Sequence, residues 1–249
     1  MKISVVVPAY NEDKHIAACL RSLVNQTEKP DQIIVVDNNS TDKTAKIVKK
    51  FPEVILLHEN RQGTIFARNT GFNAVIGDII ARTDADTEVP RDWIKKIKEN
   101  FEKNNNVIAI SGPARFYGTP STVPVSYYPS TIFYKSFKRF MKHDGIFGPN
   151  MAIRKSAWEK VKEELCTDGK IVHEDLDISI HIAKLGTILF DTKLVVNSSA
   201  RRWKKLSPYF EYLYRYLKTV NKHRKLINLP RQKAMLKKLI ERPLSFLEH

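Results

Sequence analysis

Thr83-Asp84-Ala85-Asp86-Thr87 sets two carboxylates one residue apart, directly behind the apolar run Ile79-Ile80-Ala81. Carboxylate oxygens are hard ligands suited to Mg²⁺ or Mn²⁺, and such an ion commonly joins one or two acids to the phosphates of a substrate. A second acidic group, His173-Glu174-Asp175-Leu176-Asp177, offers different chemistry. Three carboxylates within four residues repel one another and raise at least one pKa, which suits a general base acting on a hydroxyl. Each group also has an ordinary explanation, since Asp is a turn former and acids are favoured at a helix N-terminus. Further polar residues sit in Pro8-Ala9-Tyr10-Asn11-Glu12 and Asp37-Asn38-Asn39-Ser40-Thr41-Asp42. Tyr10 could support a nucleotide base, and Asp37 could accept a hydrogen bond from a base N–H or a ribose hydroxyl. Arg68, within Ala67-Arg68-Asn69-Thr70-Gly71, could grip a carboxylate or phosphate with its guanidinium fork.

The elements around these residues alternate from Met1 to about residue 110. Apolar runs at 3–7, 33–36, 54–57, 78–83 and 107–111 read as buried strands. Between them lie helices: one capped by Asn11 with a stripe of Ile16, Leu20, Leu23 and Val24, and one from Ser40 to about residue 50. A third spans 64–76, and a fourth follows Pro90 through Trp93, Ile97 and Phe101. Near-continuous Val/Ile runs alternating with helices predict an α/β fold, a mostly parallel sheet covered on both faces. In such a sheet the acids after strands one, two and four share the carboxyl edge, where open α/β sheets bind ligands. Later residues are less regular. Expected there are an aromatic, basic helix over 127–142, a strand and helix after Gly148-Pro149-Asn150-Met151, and a helix over 173–185. Strands near 187–190 and 193–197 follow, then an amphipathic helix from Pro208 to about residue 226 and a basic helix after Pro230.

Composition narrows the classes. At 249 residues and 42% hydrophobic, the chain can build one large domain with an appendage. No apolar run approaches the roughly 18–20 residues of a membrane-spanning helix, and no signal peptide opens the chain. The two cysteines, Cys19 and Cys166, have no metal or redox spacing and fit a reducing, cytoplasmic compartment. Net charge is +15, yet residues 201–249 hold fourteen Lys and Arg against three Glu, so +11 of it belongs to the tail. A nucleotidyltransferase would need a Gly-rich phosphate loop where Pro8-Ala9-Tyr10-Asn11 stands. No nucleic-acid motif accompanies the basic tail, so nucleic acid is not an expected partner. A catalytically inactive sugar-nucleotide binder would share most of the binding residues and stays open as an alternative.

Six motifs in order carry a family resemblance: Val6-Val7-Pro8-Ala9-Tyr10-Asn11-Glu12, Val35 through Asp42, Gly63 through Gly71, Asp84-Ala85-Asp86, Gly148-Pro149-Asn150-Met151-Ala152-Ile153-Arg154, and Glu174-Asp175-Leu176-Asp177. Over residues 2–203 the chain resembles the inverting family-two glycosyltransferases, whose GT-A fold is a Rossmann-like sheet flanked by helices. The resemblance implies a nucleotide-sugar donor, a Mn²⁺ or Mg²⁺ ion and inversion at the anomeric carbon. It implies that Pro8, Ala9, Tyr10, Glu12 and Asp37 bind the nucleotide, Asp37 contacting a base that is usually uracil. It further implies Arg68 holding the nucleotide, Asp84 facing ribose and phosphates, and Asp86 ligating the metal. Asp175 is then the catalytic base, supported by Glu174 and Asp177, with Asn150 and Met151 near the sugar or acceptor. Residues 1–110 would form the nucleotide-sugar half and 111–203 the acceptor half of one domain, 204–246 a basic helical tail and 247–249 a tag remnant. The chain departs from many relatives at Glu163-Glu164-Leu165-Cys166, where they have Gly-Gly-Phe. The Gln-x-x-Arg-Trp signature of processive synthases is absent, although Arg201-Arg202-Trp203 lies in a comparable region, with Arg201 or Arg202 expected at the diphosphate. Transfer of a single sugar is therefore expected.

Tyr209, Leu213, Tyr216, Leu217 and Val220 form one stripe of the tail helix, with Arg215, Lys218 and Lys222 elsewhere on it. Aromatic residues beside basic ones predict either an interfacial helix on an anionic membrane or a helix packed against the catalytic domain. The first alternative would put the protein on the inner face of the cell membrane with a polyprenyl-linked acceptor. The second leaves a soluble glycan as the acceptor.

Overall fold

The computed structural model describes residues 1–118, 138–139, 141–169, 171–201 and 207–227, with 207–210 described by backbone alone. Its main sheet begins with four parallel strands: β1 (Ile3–Ala9), β2 (Gln32–Asp37), β3 (Val54–His58) and β4 (Ile79–Arg82). Three more complete it: β6 (Val107–Ser111), β8 (Met151–Arg154) and β9 (Thr187–Phe190), in the order β3-β2-β1-β4-β8-β6-β9. β8 runs antiparallel between β4 and β6; every other pairing in this sheet is parallel. A small second sheet holds β5 (Thr87–Glu88), β10 (Val196–Ser199) and β7 (Ala114–Tyr117). β5 and β7 are short and have no apolar run to announce them. β10 lies a few residues beyond the expected strand at 193–197.

Alternation along the strands builds two apolar layers, because successive side chains leave a strand on opposite faces. Val5 and Val7 join Ile33 and Val35 on one face, packed by α1 (Ile16–Val24) and α4 (Trp93–Lys103) through Leu20, Leu23, Trp93, Ile97 and Phe101. Val6, Ile34 and Val36 face the other way, onto α3 (Thr64–Asn73), α5 (Lys155–Val161) and α6 (Glu174–Ile182). There Phe72 meets Trp158 edge-on at 5.1 Å. α3 lies so close to the sheet that a Cβ on Gly71 would stand 2.3 Å from Val6 Cγ1, an overlap that neither rigid neighbour could relieve.

The expected helix from Ser40 is reduced to α2 (Thr44–Val48), where Asp42 Oδ1 accepts from Thr44 N at 2.8 Å. Asn11 is not a helix cap. It adopts φ 53°, and its Oδ1 accepts from Thr41 N at 2.8 Å, tying the loop after β1 to the loop after β2. The last helix described is α7 (Ser207–Lys222). Val220 and Tyr216 pack against Met141, Leu176 and Ile180, and His173 N donates to Thr219 Oγ1 at 2.8 Å. Two of the five residues of the tail stripe are thus explained by packing, while Leu213 stays 53% exposed. No helix among the described residues is long and apolar enough to cross a membrane. Most of the expected 127–142 helix, and the helix after Pro230, lie outside the described residues.

Candidate active site

The site is organised by a residue that the motifs do not single out. Arg82 ends β4 with its side chain only 3% exposed, and its guanidinium meets three carboxylates. Nη2 lies 2.9 Å from Glu174 Oε1 and 3.1 Å from Asp84 Oδ1, and Nη1 lies 3.4 Å from Asp175 Oδ1. Burial alone would pull its pKa down, but these acids outweigh it and hold the guanidinium well above its ordinary value. The sheet thereby places Asp84, just after β4, against the first turn of α6. Thr83 Oγ1 closes the arrangement by donating to Pro149 O at 2.9 Å.

Glu174 and Asp175 are adjacent but electrostatically unlike. Burial pushes Glu174 up, yet Arg82 and Arg68 outweigh it and hold the carboxylate below its usual range. For Asp175 burial wins, assisted by the charge of Glu174 and only partly offset by Arg82, so its pKa is raised. Asp175 Oδ2 accepts from Gly148 N at 2.9 Å. A Cβ at Gly148 would come within 2.6 Å of Asp175 Oδ1, so glycine is what lets the carboxylate approach this turn. A buried carboxyl with a raised pKa, adjoining a neighbour that stays ionised, is the pattern of a proton acceptor beside a charge holder.

At the other side of the carboxyl edge, Ala9 pairs in register with Asp37, and Asp37 with His58. Asp37 Oδ2 lies 3.4 Å from His58 Nδ1, while Oδ1 is buried without a hydrogen bond. A buried carboxylate oxygen left this way costs free energy until a donor reaches it. Tyr10 stands above the same edge, 49% exposed. Asn38 is structural: it donates to the carbonyls of Glu59 and Arg61 at 2.8 Å and accepts from Gly63 N at 2.7 Å. This fixes the turn leading into α3, where Gly63 takes φ 141°.

Asp86 is held at the edge by its backbone, with Ser199 N and the Tyr117 hydroxyl both donating to its carbonyl. Its Oδ2 lies 3.2 Å from Arg201 Nε, and the same guanidinium reaches Glu12 Oε1. A cation thus already neutralises the acid expected to bind metal. Together with Asp84, Asp86 offers the hard oxygen donors that Mg²⁺ and Mn²⁺ prefer, so the residues present fit such an ion. A shallow depression lined by Gly77, Asp78, Arg154 and Lys155 lies by the opposite end of β4, and none of these acids lines it.

Four expectations change, and a fifth falls outside the described residues. Arg68 is only 1% exposed, donates twice to Asn69 Oδ1 and lies 3.5 Å from Glu174 Oε2, so it supports Glu174 from behind. Asn150 is fully buried, accepting from Trp93 Nε1 at 2.9 Å and donating to the carbonyls of Pro113 and Leu194. It braces the sheet and has no group left for a sugar. Met151 is buried in the apolar layer beneath the site. Asp177 is turned away from Asp175 and accepts from Cys166 N at 2.8 Å, with His223 Nε2 3.0 Å from its Oδ1. Arg202 lies outside the described residues. The structure therefore brings together Pro8, Ala9, Tyr10, Glu12, Asp37, Asp84, Asp86, Glu174, Asp175 and Arg201, and adds Arg82 and Gly148. One signal for Arg82 was available: a strongly basic residue closing an apolar strand must be buried beside acids.

Known proteins resemble this chain in sequence and in fold. A probable glycosyltransferase of Bacillus subtilis, YdaM, is 29% identical over 221 residues, 82% of this chain and 52% of its own length. The uncharacterised glycosyltransferase YibD of Escherichia coli is 38% identical over 92 residues, 35% of this chain and 27% of its own. The chain thus spans about half the length of the first of these relatives and less of the second. Among solved structures, a mannosyltransferase from Pyrobaculum calidifontis in complex with GDP-Man and Mn²⁺ matches with a TM-score of 0.70. It is 22% identical, covering 95% of this chain and 68% of that one. Glucosyl-3-phosphoglycerate synthase from Mycobacterium tuberculosis, in complex with Mn²⁺, UDP and phosphoglyceric acid, matches with a TM-score of 0.62 at 16% identity. It covers 92% of this chain and 79% of that one. At these identities the likeness is one of fold, a central α/β sheet of the GT-A type. The profile of the family described as "Glycosyl transferase family 2" matches residues 4–162, well over half of the sequence, and the chain belongs to that family.

Proposed function

We propose that this protein transfers a single sugar from a nucleoside-diphosphate sugar to a hydroxyl or lipid-phosphate acceptor, with inversion at the anomeric carbon. The observation that carries the reading is the shared guanidinium of Arg82, which holds Asp84 and Asp175 within one site. Asp37 Oδ1 takes a base N–H, uracil being the base expected, and Tyr10 lies against the ring. Glu12 and Asp86 line the diphosphate end of the same edge. Asp86, with Asp84 beside it, would hold a divalent cation, which when bound would supply Lewis-acid stabilisation of the departing diphosphate. Asp175 accepts the proton of the acceptor hydroxyl as that oxygen attacks the anomeric carbon from the face opposite the diphosphate. The bond from carbon to the diphosphate oxygen breaks, and the nucleoside diphosphate leaves with the bonding pair. A lipid phosphate is already ionised and would need less from Asp175. Residues 1–110 serve the donor and 111–203 the acceptor in this reading.

A thermal-shift panel of nucleotide sugars with Mn²⁺ or Mg²⁺ tests the proposal. One donor at 100 times its Kd is expected to add about 2.7 kcal/mol of stability, and only with the cation present. No stabilisation by any nucleotide sugar would contradict it. Stabilisation without sugar transfer would favour an inactive binding protein.

Attachment to an anionic membrane is supported by Leu213 and Tyr214, both exposed, Leu213 standing on the same stripe as the packed Val220 but two turns nearer the start of α7. Arg224, Lys225 and exposed Leu226 follow them. Such a surface adds about 1 kcal/mol per basic residue near it. Cosedimentation with phosphatidylserine vesicles is expected for the full chain and reduced on deletion of 207–246. Equal pelleting of both proteins would leave packing as the sole role of α7.

A further inference from the structure

We propose that Cys166, Asp177 and His223 form a second, sulfur-containing metal site, which takes Zn²⁺ and fastens α7 to α6. All three side chains are buried, and one ligand atom from each lies within 4.8 Å of the other two. His223 Nε2 is 3.0 Å from Asp177 Oδ1 and 4.0 Å from Cys166 Sγ. Tetrahedral zinc with ordinary bond lengths sets these edges at about 3.3 and 3.6 Å, so the two His223 edges are within a few tenths of an ångström of that geometry, and the Asp177–Cys166 edge is within 4.8 Å. The side chains come from three separate segments: the stretch after α5, the first turn of α6, and the residue just after α7.

Hydrogen bonds around the cluster aim its donors inward. His223 Nδ1 lies 3.0 Å from Thr219 O and donates to it, which leaves Nε2 as the nitrogen facing the cluster. Ligating histidines are commonly oriented this way by a carbonyl on the other ring nitrogen. Asp177 Oδ2 accepts from Cys166 N at 2.8 Å, so the carboxylate is fixed with Oδ1 pointing at His223. That oxygen is buried and has no hydrogen bond despite the nearby ring nitrogen. Facing an unprotonated Nε2 at 3.0 Å, that oxygen is unpaired, which is costly. A proton or a metal ion between the two atoms removes the cost. His181 closes one side, its ring edge-on to His223 at 5.0 Å with Nδ1 bonded to Asp177 O at 2.9 Å.

Charge and ligand type name the ion. A thiolate and a carboxylate carry two negative charges, a neutral imidazole adds none, and a divalent ion makes the buried cluster neutral. On binding, the thiol proton goes to solvent; burial pushes the Cys166 thiol up, and Lys222 beside it offsets this only in part. Thiolate and imidazole select Zn²⁺, whereas the all-oxygen donors at Asp84 and Asp86 suit Mg²⁺ or Mn²⁺. A water takes the fourth position. Since Asp177 shares α6 with Glu174 and Asp175, the ion would anchor the helix that presents the base.

The test uses the full chain with Cys19→Ser, so that any thiolate signal comes from Cys166. After chelation and dialysis, Co²⁺ titration is expected to give a saturable thiolate-to-cobalt charge-transfer band at one equivalent, bleached by Zn²⁺. Asp86→Ala should leave this band unchanged, and Cys166→Ser should remove it. Absence of the band in the Cys19→Ser protein, or its loss in Asp86→Ala, would overturn the proposal and leave an ordinary His–Asp pair. Because Cys166→Ser could also disturb folding, a second measurement reads the native protein. Zn²⁺ is expected to raise its unfolding temperature and to fail to raise that of His223→Gln. An equal rise in both would equally overturn the assignment.

Discussion

Asp175→Asn is expected to lower the transfer rate about 10²–10⁴-fold while leaving donor binding intact. Asparagine keeps the shape and can still accept from Gly148 N, as Asp175 Oδ2 does at 2.9 Å, but it cannot take a proton. The loss should therefore fall on the turnover number, and nucleotide affinity measured by calorimetry should be unchanged. A pH profile reads the same group in the native enzyme. Asp175 must be ionised to act, so activity is lost as pH falls through its pKa. That pKa is raised by burial and by Glu174, which puts the acid limb above the ordinary Asp value of about 3.9. Glu174→Gln removes the like charge and leaves Arg82 to favour the ionised form, so the limb should move to lower pH. A fully active Asp175→Asn enzyme would remove the base from the account, as would a limb that moves upward in Glu174→Gln.

Asp86→Ala should abolish the metal-dependent part of donor binding. Ligation of a cation that bridges to diphosphate is worth several kcal/mol, and each 1.4 kcal/mol is tenfold, so a loss of more than about 100-fold is expected. The substitution also releases Arg201, whose Nε is 3.2 Å from Asp86 Oδ2. Affinity for free nucleotide should then fall far less than affinity for nucleotide with Mn²⁺. Equal affinity of the two proteins in the presence of Mn²⁺ would reject Asp86 as the ligand.

The central strands were legible because strands buried on both faces must be apolar throughout, as Val5-Val6-Val7 and Ile33-Ile34-Val35-Val36 are. From them followed the carboxyl edge, and with it Asp37, Asp84 and Asp86. What failed was direction. Asp177 follows Asp175 by two residues, which on a helix turns it by about 200°, away from the site and toward Cys166 and His223. Asn150 reads as a polar residue in a functional turn, yet its amide is consumed by Trp93, Pro113 and Leu194, partners far away in sequence. Arg82 stayed hidden, and Arg201 could not be told apart from Arg202, because an arginine's partners are set by tertiary contacts, here with acids up to 189 positions distant. β5 and β7 escaped notice because strands of two and four residues carry too little pattern.

The most direct test of the shared cleft is a crystal structure of the protein with UDP and Mn²⁺. The uracil N–H should bond to Asp37 Oδ1, Mn²⁺ should lie on Asp86 in place of the Arg201 guanidinium, and Asp175 should face the vacant sugar position beyond the β-phosphate. Nucleotide bound away from the β1–β2 edge, or metal without Asp86 among its ligands, would contradict the account.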